Sequence, residues 1–158
     1  MARNLKTQDV ARITRITRFR VEEWRRRGFV TVPQARPLVW GNEEIFTAAC
    51  IGALADAGAP LESVRGLQDL IRNKGSPEAL RGAWLVVVLP TKADVETAAA
   101  RGIPYEPVRL VNGAAALAKL AKSATQTLAV VDVGQILDAL ERTRAELLGE
   151  GEREGQVA

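Results

Sequence analysis

Between Thr17 and Gly28 the chain carries five arginines, Arg18, Arg20, Arg25, Arg26 and Arg27, interleaved with Phe19 and the adjacent acids Glu22 and Glu23. Guanidinium groups at this density suit anionic oxygens, which they grip by charge-assisted, often bidentate hydrogen bonds. The setting reinforces that chemistry. Residues 1–36 hold ten basic side chains against Asp9, Glu22 and Glu23, a local net charge of +7, whereas residues 37–158 sum to −4 and the whole chain to +3. A cationic front on an acidic remainder is the electrostatic footprint of a polyanion binder. Other chemistries are excluded by composition. The 158 residues include no histidine and one cysteine, Cys50. A Ser-His-Asp or Cys-His nucleophile, an imidazole metal site, a zinc finger and an intramolecular disulfide are therefore out of reach. No enzyme, no cofactor and no metal are expected. With no apolar run of about 18 residues, and with Met1-Ala2-Arg3-Asn4 opening no secretory leader, no membrane role is expected and the cytosol is the expected compartment.

The elements that must position these side chains read as two short helices and a turn. Thr7-Gln8-Asp9 is a helix-start signal, and Val10, Ala11 and Ile13 give the helix after it a buried side. Arg15-Ile16-Thr17 reads as a tight turn, with Thr17 capping a second helix, 18–27, that Gly28 ends. On it Val21, Trp24 and Arg25 share one side, while Phe19, Glu22, Glu23 and Arg26 take the other and Arg18 and Arg20 flank its first turn. Such a pair is a helix-turn-helix, whose second helix fits a major groove. Next come two β-prone runs, Phe29-Val30-Thr31-Val32 and Leu38-Val39-Trp40, around Pro33-Gln34-Ala35-Arg36-Pro37, a two-stranded wing with Arg36 near its tip. A helix opens at Asn42-Glu43-Glu44 and closes at Gly58, with Cys50 a small core residue in its stripe; Pro60 starts another, with Leu61, Val64, Leu67 and Ile71 inside.

This ordered series resembles the mercury-resistance-regulator (MerR) superfamily of winged helix-turn-helix regulators over about residues 7–72. The resemblance rests on Val10-Ala11-Arg12-Ile13-Thr14, Val21-Glu22-Glu23-Trp24-Arg25, Trp40-Gly41-Asn42-Glu43-Glu44-Ile45 and Gly58-Ala59-Pro60-Leu61. It implies a dimer on double-stranded DNA with helix 18–27 in the major groove and the wing on the backbone. The implied contact set is Thr17, Arg18, Phe19, Arg20, Glu22, Glu23, Arg26 and Arg36. Arg18, Arg20, Arg26 and Arg36 suit phosphates, and Thr17 places a helix N-terminus near one. The pattern departs from the family where Glu22 replaces a usual arginine, Glu23 a frequent tyrosine and Phe19 another frequent arginine. Those acids lower non-specific affinity but can accept from cytosine N4, and Phe19 can press on a thymine methyl.

Behind residue 72 the family pattern stops. After a linker over 73–83, Trp84 to Leu89 is a continuous apolar run, as in a strand buried on both faces. Residues 92–101 read as a helix, 108–111 as a strand, 113–123 as a helix, 127–133 as a third strand and 134–148 as a final helix, before a polar tail over 149–158 that composition predicts to be disordered. The alternation predicts βαβ units and a small parallel sheet. The expected fold class is α+β overall: an N-terminal winged helix-turn-helix over 1–72 and a small α/β association or effector domain over 84–148. Asp132 on the third strand is expected to be a satisfied loop-edge residue. Three functions fit. The first is a sequence-specific, homodimeric, nucleoid-associated transcription regulator. The second is a DNA-binding accessory or architectural protein whose rear domain recruits a protein partner. The third is a winged-helix interaction module that no longer binds DNA.

Overall fold

The computed structural model describes residues 5–34, 38–89, 91–103, 107–123 and 126–157. The fold is α+β. Its front is α1 (Thr7–Thr14), α2 (Arg18–Arg26) and α3 (Asn42–Asp56), then a 3-10 turn over Leu61–Val64 and α4 (Leu67–Asn73). The single helix predicted from Pro60 is thus split, because Gly66 between the pieces takes a left-handed conformation, φ 89°.

Residues 73–83 are more than a spacer. Pro77–Leu80 form a 3-10 turn that buries Leu80, and Arg81 donates to Glu78, Asp138 and Glu141 at 3.1, 2.6 and 3.1 Å. Then follow β1 (Ala83–Leu89), α5 (Lys92–Ala100), β2 (Val108–Asn112), α6 (Ala114–Ser123), β3 (Gln126–Asp132) and α7 (Val133–Val157). The backbone of α7 continues helically through 149–157, where disorder is expected. Glu150, Glu152, Arg153 and Glu154 are helix-tolerant residues that need no core to continue an existing helix.

Three strands form as expected, but their direction differs from the parallel prediction. The order is β2-β1-β3, with both pairs antiparallel: Leu85 faces Leu110 on one side and Val131 on the other. A parallel neighbour requires the connecting helix to cross back over the sheet. Connecting β1 to β2, α5 has no buried residue and only Val95 as a large apolar side chain, so it has no stripe with which to pack. The chain therefore turns back, and β1 comes to lie between two strands that run parallel to each other.

The run Leu85 to Val88 is buried on both faces, as its continuous apolarity predicts. Leu85 and Val87 join Ile136, Leu137 and Leu140 of α7 in the main core, while Val86 and Val88 pack with Val111 and with Leu117 and Leu120 of α6. That main core also contains Val10, Val21, Trp24, Phe46 and Leu54, so the front helices and the sheet share one apolar interior. The last helix packs on both α1 and α3. Cys50 of α3 is fully buried in the shared core, and burial pushes its thiol far above the usual range.

Candidate nucleic-acid interface

The interface is built from the start of α1. Its N-cap is Lys6, one residue before the predicted Thr7, and Asp9 Oδ2 accepts from the Lys6 N–H at 2.9 Å. Thr7 is used differently, its Oγ1 accepting from Trp40 Nε1 at 3.2 Å. Val10 and Ile13 anchor the helix in the core, and Arg15 ends it in the left-handed region, φ 57°. Gly52 of α3 makes room for the turn: a Cβ there would stand 2.7 Å from Ile16 Cδ1.

Thr17 then caps α2, its Oγ1 accepting from the Arg20 N–H at 3.4 Å, and Gly28 follows the helix at φ 77°. Val21 and Trp24 are buried, so the register of α2 is set by two apolar side chains three residues apart. Arg25, which spacing places on their side, is half-buried.

Everything the sequence assigns to the opposite side is at the surface. Thr17, Arg18, Phe19, Arg20 and Arg26 are exposed, and Glu22 and Glu23 half-buried. Phe19 is 71% exposed, so its ring stands in solvent on this face. The structure thus brings together seven of the eight candidate residues. Arg36 lies outside the described residues.

The charges on this face are arranged in pairs. Arg18 Nε reaches Glu22 Oε1 at 2.9 Å, and Arg27 reaches Glu23 at 3.5 Å, both one helical turn apart. The Arg20 guanidinium lies 5.3 Å from the centroid of the Trp24 ring. Arg12 and Arg26 have no acidic partner among the described residues. Glu22 and Glu23 therefore hold neighbouring arginines in place while cancelling part of their charge.

The β-prone run after α2 is not a strand. No strand ladder forms within 29–34 or 38–40, and Trp40 instead bridges to Leu5. Phe29, Val30 and Val32 are all buried, which leaves the backbone of Thr31 to find another partner. Gln68 supplies it: its Oε1 accepts from the Thr31 N–H at 2.6 Å, and its Nε2 donates to the Thr31 carbonyl at 2.9 Å. The amide thereby imitates a neighbouring strand. Nε2 also donates to Glu43 Oε1 at 3.3 Å, and Arg72 donates to the same oxygen at 2.7 Å, so a polar chain from α3 and α4 roots the arm that leads to Arg36.

A second anchor holds the end of α2. The buried Phe29 ring has Arg65 4.3 Å and Arg27 5.2 Å from its centroid, and Glu62 joins the two cations at 3.1 and 2.9 Å. The Arg65 guanidinium, with Arg27 beside it, holds the Glu62 carboxyl below the usual carboxylate range. Sequence reasoning missed both Gln68 and this cluster. The contacts that tie them to Arg27 and Thr31 span 35 to 38 residues, beyond the reach of any local pattern.

At the start of the last helix Asp132 Oδ1 accepts from the Gly134 N–H at 2.8 Å and so caps α7. Among the described residues no group of three or more Cys, Asp or Glu side chains could hold a metal ion, and no helix is long and apolar enough to cross a membrane. No protein-family model matches the chain, and no curated protein matches it.

Proposed function

We propose that this protein is a sequence-specific double-stranded-DNA-binding regulator of the MerR-like helix-turn-helix kind, with α2 in the major groove. The observation that carries the reading is the division of α2. Its buried side consists of Val21 and Trp24, and its open side gathers exposed Thr17, Arg18, Phe19, Arg20 and Arg26 with half-buried Glu22 and Glu23. Nine residues at about 1.5 Å each span roughly 13 Å, enough to follow a few base pairs along the groove.

In this reading Arg18, Arg20, Arg26 and Arg36 contact phosphates. Thr17 presents the helix N-terminus to another phosphate. Phe19 presses on a thymine methyl, and Glu22 or Glu23 accepts from cytosine N4. A homodimer would set two such helices on half-sites about 34 Å apart. Exposed Val130 and Leu148 provide apolar surface for a second copy or for another protein.

Selection of duplexes from a random pool, followed by footprinting, tests the reading. The expected product is a short inverted repeat bound with a salt slope of about −0.9 per phosphate contact. The Arg18–Glu22 and Arg27–Glu23 pairs favour a second reading, in which the partly neutralised face of α2 meets protein. Absence of salt-dependent duplex binding at low ionic strength would select that one.

A further inference from the structure

The two faces of the sheet are covered unequally. On one, Leu85 and Val87 meet Ile136, Leu137 and Leu140 of α7 in the main core. On the other, Val86, Val88 and Val111 meet Leu117 and Leu120 of α6. This second helix packs over β2, at one edge of the sheet, and β3 forms the opposite edge. Val130 of β3 pairs with Val86, so it stands on the side of α6, and it is 40% exposed. Trp84, Leu117 and Leu120, which complete the small cluster, are only half-buried. An apolar trough thus lies open between α6 and β3. Lys119 and Lys122, on the helix that walls it, are exposed and have no acidic partner among the described residues.

The end of α7 has the complementary character. As it leaves the sheet α7 passes the end of α1 and the start of α3, where Arg144 reaches Asn42 at 2.7 Å and Glu146 reaches Arg15 at 3.9 Å. Beyond them Leu148 is 57% exposed, and a Cβ at Gly149 would meet nothing within 4 Å. The helix still runs on to Val157, nine further residues that span about 13 Å. Residues 149–157 carry Glu150, Glu152 and Glu154 against Arg153, a net charge of −2. Residues 113–123 carry Lys119 and Lys122 with no acid, a net charge of +2.

We infer that the trough receives the end of α7 from a second copy of this chain, with Leu148 against Val130 and the acidic turns beyond it along Lys119 and Lys122. The mode is a helix laid in an apolar groove, with charge fixing its direction. A chain cannot fill its own trough, because α7 and α6 lie on opposite faces of the sheet and the free end of α7 continues away from it. A second copy supplies what is missing, since each chain carries one trough and one helix end of equal and opposite charge. Exchanged both ways, the two contacts close about a two-fold axis. The dimer rests on the proposed function for its purpose, that of setting two α2 helices on one operator. Its surface does not depend on DNA.

The test is sedimentation velocity on the full-length protein without DNA, across micromolar concentrations at low and high salt. Monomer and dimer are the expected species, with a dissociation constant that rises with salt. Exposed ion pairs contribute about two- to fivefold each, and the two-fold axis repeats every pair. Reversing two charges on either side, by Lys119→Glu with Lys122→Glu or by Glu150→Lys with Glu152→Lys, should therefore weaken the dimer by more than about tenfold. Leu148→Asp should do so through the apolar contact. These positions are in no core cluster, so the variants should keep the wild-type circular dichroism. The two charge-reversed chains, each monomeric alone, should pair with one another when mixed, because both contacts are then complementary again. The inference is overturned by a wild type that stays monomeric, by assemblies that grow past the dimer, by reversed variants that dimerise as the wild type does, or by a mixture that does not associate. Failure to find a duplex leaves these outcomes untouched, whereas a monomeric wild type leaves the duplex selection to decide the reading of α2.

Discussion

Replacing Glu22 with glutamine removes one charge from the open face of α2 and leaves its shape unchanged. In the wild type Glu22 Oε1 sits 2.9 Å from Arg18 Nε, so any phosphate that engages Arg18 must compete with a carboxylate already in place. The pair is solvent-exposed, with side-chain exposures of 64% and 39%, and one turn apart on a helix. Its loss should therefore cost only about 0.3–0.5 kcal/mol of folding stability. The effect on binding should be larger and of opposite sign. Freed from Glu22, Arg18 becomes a full phosphate contact, steepening the salt slope by about 0.9 per protomer and tightening non-specific binding several-fold at low salt. If Glu22 also accepts from a cytosine, discrimination at that base pair should fall by about 1–3 kcal/mol, because the uncharged amide presents a donor as well as an acceptor. Fluorescence anisotropy of the selected duplex and of a scrambled duplex, each at several salt concentrations, measures both effects. Glu96→Gln on the uncovered α5 serves as the control, since it also removes one acid paired within a helix. The reasoning is refuted if Glu22→Gln and Glu96→Gln shift the slope equally, because the gain would then reflect net charge and not the position of Arg18.

Gln68→Leu keeps the volume but strips both hydrogen bonds from the Thr31 backbone; we expect a loss of about 1–2 kcal/mol in urea unfolding, and a loss under about 0.5 would mean that water replaces the amide without cost. Cys50, fully buried and with its thiol raised by desolvation, should react with a thiol reagent only as fast as the protein unfolds, so rapid stoichiometric labelling of the native protein would contradict its place in the core. Glu62 beside Arg65 and Arg27, and Glu78 beside Arg81, have folded pKa values lowered from those of the unfolded chain. Their contribution is therefore present above the unfolded carboxylate value of about 4.3 and is lost as pH falls through the lower folded values. The urea midpoint should fall on acidification in that window, and less so in a Glu62→Gln, Glu78→Gln variant. An identical acid response in the variant would remove these pairs from the account.

What could be read from the sequence, and what could not, follows from the distance over which each residue finds its partner. The periodicity of Val10 and Ile13, and then of Val21 and Trp24, is local, and it placed α1, α2 and the open face of α2 correctly. Even the Arg18–Glu22 and Arg27–Glu23 pairs are visible in principle, since they lie four residues apart. The wing failed for a non-local reason. Phe29, Val30 and Val32 have β-forming side chains, but all three are drawn into the core, and the backbone between them is satisfied by an amide 37 residues further on. Direction in the sheet turns on a local feature: residues 92–100 form a helix but lack the apolar stripe that would carry it back across the strands.

The same argument explains why a cleft of about 300 Å³ between α1, α3 and α7 is not legible in the sequence. Its lining comes from residues 13–16, 49–56 and 136–143, three helical stretches each of whose apolar positions already has a sufficient role in its own amphipathic pattern. Only their meeting shows that small residues at 49, 52 and 53 leave a volume unfilled where larger side chains would close it. Ala139 lies at the surface and has nothing to fill, whereas Gly52 answers to the turn itself: a Cβ there would stand 2.7 Å from Ile16 Cδ1, so the glycine lets the turn before α2 approach α3 closely.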